Sequence, residues 1–245
     1  MPPRLRTSLA AAAACATLLA VTSAAWAYRV SPMIYDLKPV GQGSAIVVRV
    51  ENTNDKPITI EVAAERRTFD ENGAESRTPA DDDFVLFPPQ AVIQPGATQA
   101  LRVQYVGPPR LPASVMYTVT VKQIPIQLPA GGPSGVQFVF NFSTLADVVP
   151  DGARAQIETV SLTPQPVGYA LRIHNSGNKY ANLAISSVVL TGPGFTRTLE
   201  GEDWRKTLGP SWILPGADRV IKLPAIEGAP AAGLTATVRL VESKP

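Results

Sequence analysis

An enzyme needs a nucleophile, a general acid or base, or a metal, and the side chains able to supply them are few in this chain. Cysteine occurs once, at Cys15, and histidine once, at His174. A catalytic imidazole works with a second group within reach, and a metal site gathers several His, Cys or carboxylate ligands. His174 has no such company and reads as a strand-end side chain near the surface. Asp81-Asp82-Asp83 offers the oxygens that hard cations prefer, but without the spaced ligands and mid-loop glycine of a calcium loop. It is expected to be a solvated turn before Phe84-Val85-Leu86-Phe87. Arg66-Arg67 is too small for a nucleic-acid patch and is expected to face solvent. Gly131-Gly132-Pro133 lacks the Lys-Ser/Thr ending and the following helix of a phosphate loop. The expectation is a non-enzyme with no metal and no cofactor.

The elements that would hold any site begin after an address label. Arg4 and Arg6 precede an apolar run from Leu9 to about Val21, and Ala25-Trp26-Ala27 offers small residues where a signal peptidase reads. Residues 1–27 therefore read as a cleaved export signal. The apolar run is short of the ~20 residues that a spanning helix needs, and no later stretch is long and apolar enough. The signal carries the only cysteine, so the exported chain is expected to form no disulfide and no thiolate site. It also carries two of the 22 basic residues and none of the 20 acidic ones, which leaves the remainder near neutral and without a nucleic-acid footprint.

Beyond the signal, helical periodicity is almost absent. Short β-branched runs alternate with period two between Gly, Pro, Asn and Asp, among them Ile46–Val50, Ile58–Val62, Ala100–Tyr105 and Tyr117–Val121. Strands at this spacing predict an all-β sandwich or barrel. One pattern occurs twice. Val47-Val48-Arg49-Val50-Glu51-Asn52 leads through Thr53-Asn54-Asp55-Lys56 into a new strand, and Ala170-Leu171-Arg172-Ile173-His174-Asn175 does the same through Ser176-Gly177-Asn178-Lys179. Asn side chains close such turns on nearby backbone. A second pair keeps the offset: Ile93-Gln94-Pro95-Gly96-Ala97 before the strand at Leu101, and Ile213-Leu214-Pro215-Gly216-Ala217 before Arg219–Leu223. Pro followed by Gly is the signature of a type II turn, with positive φ at the glycine. Two matched motifs imply two copies of one fold, so the chain is read as all-β, with two tandem immunoglobulin-like β-sandwich domains at 28–150 and 151–245. The short connection at Val149-Pro150-Asp151-Gly152 predicts a fixed angle between them.

One strand carries more than packing. Between Gly135 and Pro150 the chain reads Val136-Gln137-Phe138-Val139-Phe140-Asn141-Phe142-Ser143-Thr144-Leu145, with three of the seven phenylalanines on one face. Its other face, Gln137, Val139, Asn141 and Ser143, is only half apolar. The row could simply fill its own core. Alternatively the strand lies at a sheet edge, where unpaired N–H and C=O groups invite pairing unless charge or proline blunts them. No charged residue occurs from Gly135 to Ala146.

These residues resemble the periplasmic pilus (fimbrial) chaperones of the chaperone–usher pathway over nearly the whole exported chain. The resemblance is carried by Phe84-Val85-Leu86-Phe87-Pro88-Pro89-Gln90, Ile93, Pro95-Gly96 and Leu101-Arg102-Val103, and by the strand from Tyr117 to Gln123-Ile124-Pro125. Asn52 matches the Asn that ends the family's second strand, and Gly135–Pro150 takes the place of its donor strand. The resemblance implies that the chain lends this strand to pilus subunits lacking one of their own, without ATP, and releases them at an outer-membrane usher. Val136, Phe138, Phe140 and Phe142 would be inserted into the subunit, while Gln137, Asn141 and Ser143 point elsewhere. The family also anchors the subunit's terminal carboxylate with an Arg on the first strand and a Lys on the donor strand. Here the first position falls at about Asp36, and Gly135–Pro150 holds no Lys or Arg; Lys38 and Lys122 are the nearest substitutes. Val149 stands where relatives often carry an Arg. An unprotected edge would equally pair with a second copy of the chain. The rival reading is a structural or adhesive tandem Ig-like surface or pilus protein, against which Tyr28–Pro32 leaves little room for a detachable donor segment.

Overall fold

A computed structural model describes residues 28–125, 138–230 and 232–241. The expected signal at 1–27, Val136, Gln137 and the Gly131-Gly132-Pro133 turn lie outside the described residues.

The first half contributes strands β1 (Arg29–Ser31), β2 (Ile34–Leu37), β3 (Ala45–Glu51), β4 (Ile58–Phe69), β5 (Glu75–Pro79), β6 (Phe84–Phe87), β7 (Gln90–Ile93), β8 (Thr98–Tyr105), β9 (Tyr117–Ile124) and β10 (Asn141–Val148). They form a four-stranded sheet, β1-β3-β8-β6, and a six-stranded sheet, β2-β10-β9-β4-β5, in which β7 also pairs with β4. Alternation along each strand turns Val48 and Val50, Ile58 and Ile60, Leu101 and Val103, and Val119 and Val121 into one core between the sheets. The second half contributes β11 (Ile157–Pro164), β12 (Tyr169–Asn175), β13 (Ala181–Asn182), β14 (Ser187–Gly192), β15 (Phe195–Leu199), α1 (Gly201–Leu208), β16 (Trp212–Ile213), β17 (Asp218–Leu223) and β18 (Thr235–Arg239). Sheets β11-β12-β17 and β15-β14-β18 enclose a separate core around Leu171, Ile173, Val188, Leu190, Ile221 and Leu223. The molecule is all-β and immunoglobulin-like in both halves.

The two repeated motifs turn out to be bonded to each other, in the same way in each half. Asn52 N donates to Ala97 O (2.9 Å) and accepts at its carbonyl from Gly96 N (2.9 Å). Asn175 N donates to Ala217 O (3.0 Å) and accepts from Gly216 N (2.8 Å). The two glycines sit at φ +70° and +69°, as type II turns require. Both Asn side chains are fully buried. Asn52 Nδ2 donates to Lys56 O and Ile93 O at 2.8 and 2.9 Å, and Asn175 Nδ2 to Lys179 O and Ile213 O at 2.8 and 3.5 Å. A buried amide that closes a turn and pins the facing strand is therefore used twice.

One element departs from the near absence of helix read in the sequence. Gly201–Leu208 is an α-helix with Glu202 and Asp203 in its first turn and Arg205 and Lys206 in its last. That charge order suits the helix dipole, and Trp204 and Leu208, four residues apart, form its buried face. Trp204 Nε1 donates to Leu183 O (2.7 Å) and Ser186 Oγ (3.0 Å), which ties the helix into the second core.

Candidate functional site

The phenylalanine strand is an edge along half its length. On one side β10 pairs antiparallel with β9, from Asn141 opposite Lys122 to Leu145 opposite Thr118. On the other it pairs parallel with β2, but only from Leu145 to Val148, opposite Ile34 to Leu37. The first backbone bond on that side runs from Leu145 N to Met33 O (2.8 Å). By strand alternation the N–H and C=O of Ser143, Asn141 and Val139 point the same way, and no strand among the described residues meets them. The sequence reading of an unprotected edge is thus narrowed to the stretch before Leu145. Its surroundings are apolar and exposed: Phe138 at 72 %, Val139 at 42 %, Met33 at 41 % and Ile34 at 62 %. A slot results, open along residues 139–144 and closed at one end by β2.

The three aromatic side chains described here are not equivalent. Phe142 lies opposite Val121 on the inner face and packs edge-on against Tyr28, with ring centroids 4.7 Å apart. Phe140 is half-buried against the same core. Tyr28 is itself buried, and its hydroxyl donates to Val121 O at 2.7 Å with Phe140 O at 3.0 Å, so it clasps the open end of β9 and β10 together. Only Phe138 stands free. The bland reading of the row holds at its C-terminal end, where the aromatics fill their own sandwich. On the other face Asn141 is exposed, and Ser143 Oγ bonds Thr120 Oγ1 at 2.8 Å.

The cations suggested as anchors lie apart. Lys38 Nζ pairs with Asp151 at 2.7 Å, just past the end of the first sandwich. Lys122 lies opposite Asn141 beside the slot, exposed and without an ion pair among the described residues. Asp36 is the in-register neighbour of Asp147, so the ladder that closes the slot carries two carboxylates side by side.

Below the slot the two sandwiches meet. Asp36 accepts from Tyr180 Oη (2.7 Å) and Lys179 Nζ (2.9 Å), and the backbone joins through Ser114 N to Asn178 O (2.9 Å). Farther along, the β4–β5 hairpin reaches across. Glu71 O accepts from Val220 N (2.7 Å), and the Glu71 carboxylate holds Arg172, which also binds Asp218. Gly73, at φ +83°, lies so close to the buried Arg219 that a β-carbon there would overlap the guanidinium. His174 joins this group through Nδ1 and Asp218 Oδ1 (2.7 Å), and the hydrogen bond from His174 leads the contacts that hold the exposed Asp218 carboxyl below its usual range.

Two sequence expectations need correction, and one buried residue went unread. Arg67 does not face solvent: it is 4 % exposed, forks onto Glu75 at 2.9 and 3.3 Å and lies over the rings of Phe69 and Trp212. The long strand β4 carries it under the second sandwich, a burial that local pattern could not show. Asp83 is not merely a solvated turn residue, since it accepts from Tyr117 Oη at 2.7 Å. Asp147 escaped notice although it is fully buried; its signal was a lone acid within Leu145-Ala146-Asp147-Val148-Val149. Among the described residues no group of His, Cys, Asp or Glu is placed to hold a metal ion, and no helix is long and apolar enough to cross a membrane.

Residues 40–145 match the family model of the pili and flagellar-assembly chaperone, PapD N-terminal domain. The match covers most of the first sandwich. The family is non-enzymatic. Among curated protein sequences none matches the chain. Among solved structures, the class 5 fimbriae chaperone CfaA is similar at 14 % identity and a TM-score of 0.57, over 88 % of this chain and 100 % of its own. The E. coli chaperone DraB is similar at 20 % identity and a TM-score of 0.55, over 82 % and 86 %. A chain of the CsuC–CsuE chaperone–tip adhesion subunit pre-assembly complex, from archaic chaperone-usher Csu pili of Acinetobacter baumannii, is similar at 15 % identity and a TM-score of 0.55, over 83 % and 90 %. At such identities the likeness is one of fold, and it spans both sandwiches.

Proposed function

We propose that this chain is a pilus-assembly chaperone that works in the periplasm, after export by residues 1–27, by lending β10 to a pilus subunit that lacks a strand. The unit at 28–150 carries the strand and the unit at 151–245 backs it. The observation that carries this reading is the uncharged open edge before Leu145, rimmed by Phe138, Val139, Met33 and Ile34. A subunit strand laid along Val139–Thr144 would satisfy backbone groups that now lack a ladder partner and would cover that apolar rim. Phe138 and Phe140, preceded by Val136, would enter the subunit's groove, and Phe142 would hold the strand to its own sandwich. Burying a phenylalanine contributes about 2–3 kcal/mol, so backbone pairing and a few side chains suffice without ATP. Handing the subunit to an outer-membrane usher would exchange this strand for another subunit's.

Co-purification with subunits from the same organism tests the reading. Phe138→Asp should leave the fold intact, because Phe138 touches little of its own sandwich, and should abolish capture. Phe140→Asp is less discriminating, since its ring already packs on the home core. Undiminished capture by Phe138→Asp would remove the donor-strand assignment.

A further inference from the structure

At the seam between the sandwiches, two carboxylates compete for one phenol proton. Asp36 and Asp147 are direct partners in the parallel ladder of β2 and β10. Asp36 is well supplied, with Tyr180 Oη on one oxygen at 2.7 Å and Lys179 Nζ on the other at 2.9 Å. Asp147 is not. It is fully buried, and among the described residues Oδ1 accepts only from Tyr117 N at 3.2 Å and Oδ2 has no partner. The groups that face it can be counted. Asp36 comes from β2, Arg67 from β4, the Tyr117 amide from β9, and Tyr180 from the second sandwich, with Lys179 behind it on Asp36. Arg67 does not fill the gap, because its own Nη1 is also unpartnered. Tyr180 faces both carboxylates, but its one hydrogen goes to Asp36.

An ionised carboxylate accepts and cannot donate, whereas a protonated one does both. With Asp147 ionised, Oδ2 is a buried acceptor without a donor, which is costly. With Asp147 protonated, its O–H can donate to Tyr180 Oη, Tyr180 continues to donate to Asp36, and Asp36 stays paired with Lys179. Every member is then satisfied. We propose that Asp147 carries a proton when the sandwiches are seated, that this proton completes a chain from Asp147 through Tyr180 and Asp36 to Lys179, and that its loss loosens the seam. Burial acts in the same direction, pushing the Asp147 carboxyl up to about 7 against the opposing charge of Arg67. The seam lies on the ladder that closes the partner slot, so acidity would set how firmly the second sandwich backs the donor strand. The proposal does not depend on what occupies the slot.

The sign follows from linkage. Between the ordinary carboxylate range and about 7, the seated form binds a proton that the open form releases, so seating weakens as pH rises and levels off above that window. The Ser114 amide, bonded across the seam to Asn178 O, reports seating. In the full chain its hydrogen-exchange protection, corrected for intrinsic rate, should fall by up to about tenfold per pH unit between pH 5 and 7. In Asp147→Asn, whose amide can donate to Tyr180 but cannot ionise, protection should stay flat. Wild-type protection that does not change with pH, or an equal slope in Asp147→Asn, would overturn the proposal. Should that variant fail to fold, the carboxyl carbon of Asp147 in the wild type decides by NMR: titration near neutrality supports the clasp, and titration in the ordinary carboxylate range sinks it.

Discussion

Replacing Gly73 with alanine forces a choice between two costs. The residue sits at φ +83° at the tip of the β4–β5 hairpin, and a new β-carbon would overlap the Arg219 guanidinium. Left-handed backbone costs a non-glycine residue about 1–2 kcal/mol. If the hairpin stayed docked, Arg219 would have to leave the carbonyls of Leu208 (2.9 Å) and Pro210 (2.7 Å). Charged hydrogen bonds of that kind contribute roughly 1.5–3 kcal/mol each, so docking would cost several kcal/mol. If the hairpin lifted away, the molecule would lose the Val220–Glu71 backbone bond, about 1 kcal/mol, and the exposed Arg172–Glu71 pair, at most about 1 kcal/mol. Lifting would also admit water to Arg219 Nε and Nη1, both now unpartnered. The second route is cheaper. Gly73→Ala should therefore undock the hairpin and lower global stability by no more than about 2–3 kcal/mol. Amide exchange at Val220, which donates to Glu71 O at 2.7 Å, reads the outcome: protection there should collapse while Leu171 and Ile173 in the neighbouring strand stay protected. A protected Val220 amide, or a stability loss well beyond that range, would refute the reasoning.

Other substitutions probe the frame. Asn52→Ala deletes the bonds to Lys56 O and Ile93 O and leaves the Asn54 amide without its acceptor; urea denaturation should show a loss of about 3 kcal/mol. Asn175→Ala should destabilise the second half in the same direction, and a neutral result at either site would contradict the shared role. Arg67→Met strands Glu75 with Arg77 alone and should cost about 2–3 kcal/mol. Adding Glu75→Gln should recover part of that loss, because the half-buried carboxylate that lost Arg67 is then uncharged; a double variant no better than the single would show that the stranded charge is not the cost.

Much of the frame was legible because it rests on local chemistry that repeats. Asn52 with Pro95-Gly96, and Asn175 with Pro215-Gly216, could be matched along the chain before their bonds to one another were seen, since a turn amide and a positive-φ glycine have few other uses. The phenylalanine row was legible by period two, but its division was not. Whether Phe142 faces inward depends on Tyr28, more than a hundred residues away, and where the edge opens depends on how far β2 runs alongside. The seam was hidden for the same reason: Arg67 and Asp147 are buried, and Tyr180 half-buried, where elements distant in sequence meet between the two sandwiches. The helix at Gly201–Leu208 was readable from its charge order and its Trp204–Leu208 spacing, but eight residues give periodicity little room.

The central claim is that a subunit strand completes the open edge before Leu145. Amide exchange at Asn141 and Ser143, measured in the free chain and in its complex with a pilus subunit, tests it most directly. Those amides point to the side where no strand lies, while Leu145 N already donates to Met33 O. In the free protein Asn141 and Ser143 should exchange quickly and Leu145 slowly, and on capture the first two should become protected by a hundredfold or more, roughly the effect of a backbone bond buried under a packed strand. A stable complex that leaves Asn141 and Ser143 exchanging as in the free chain would contradict the account.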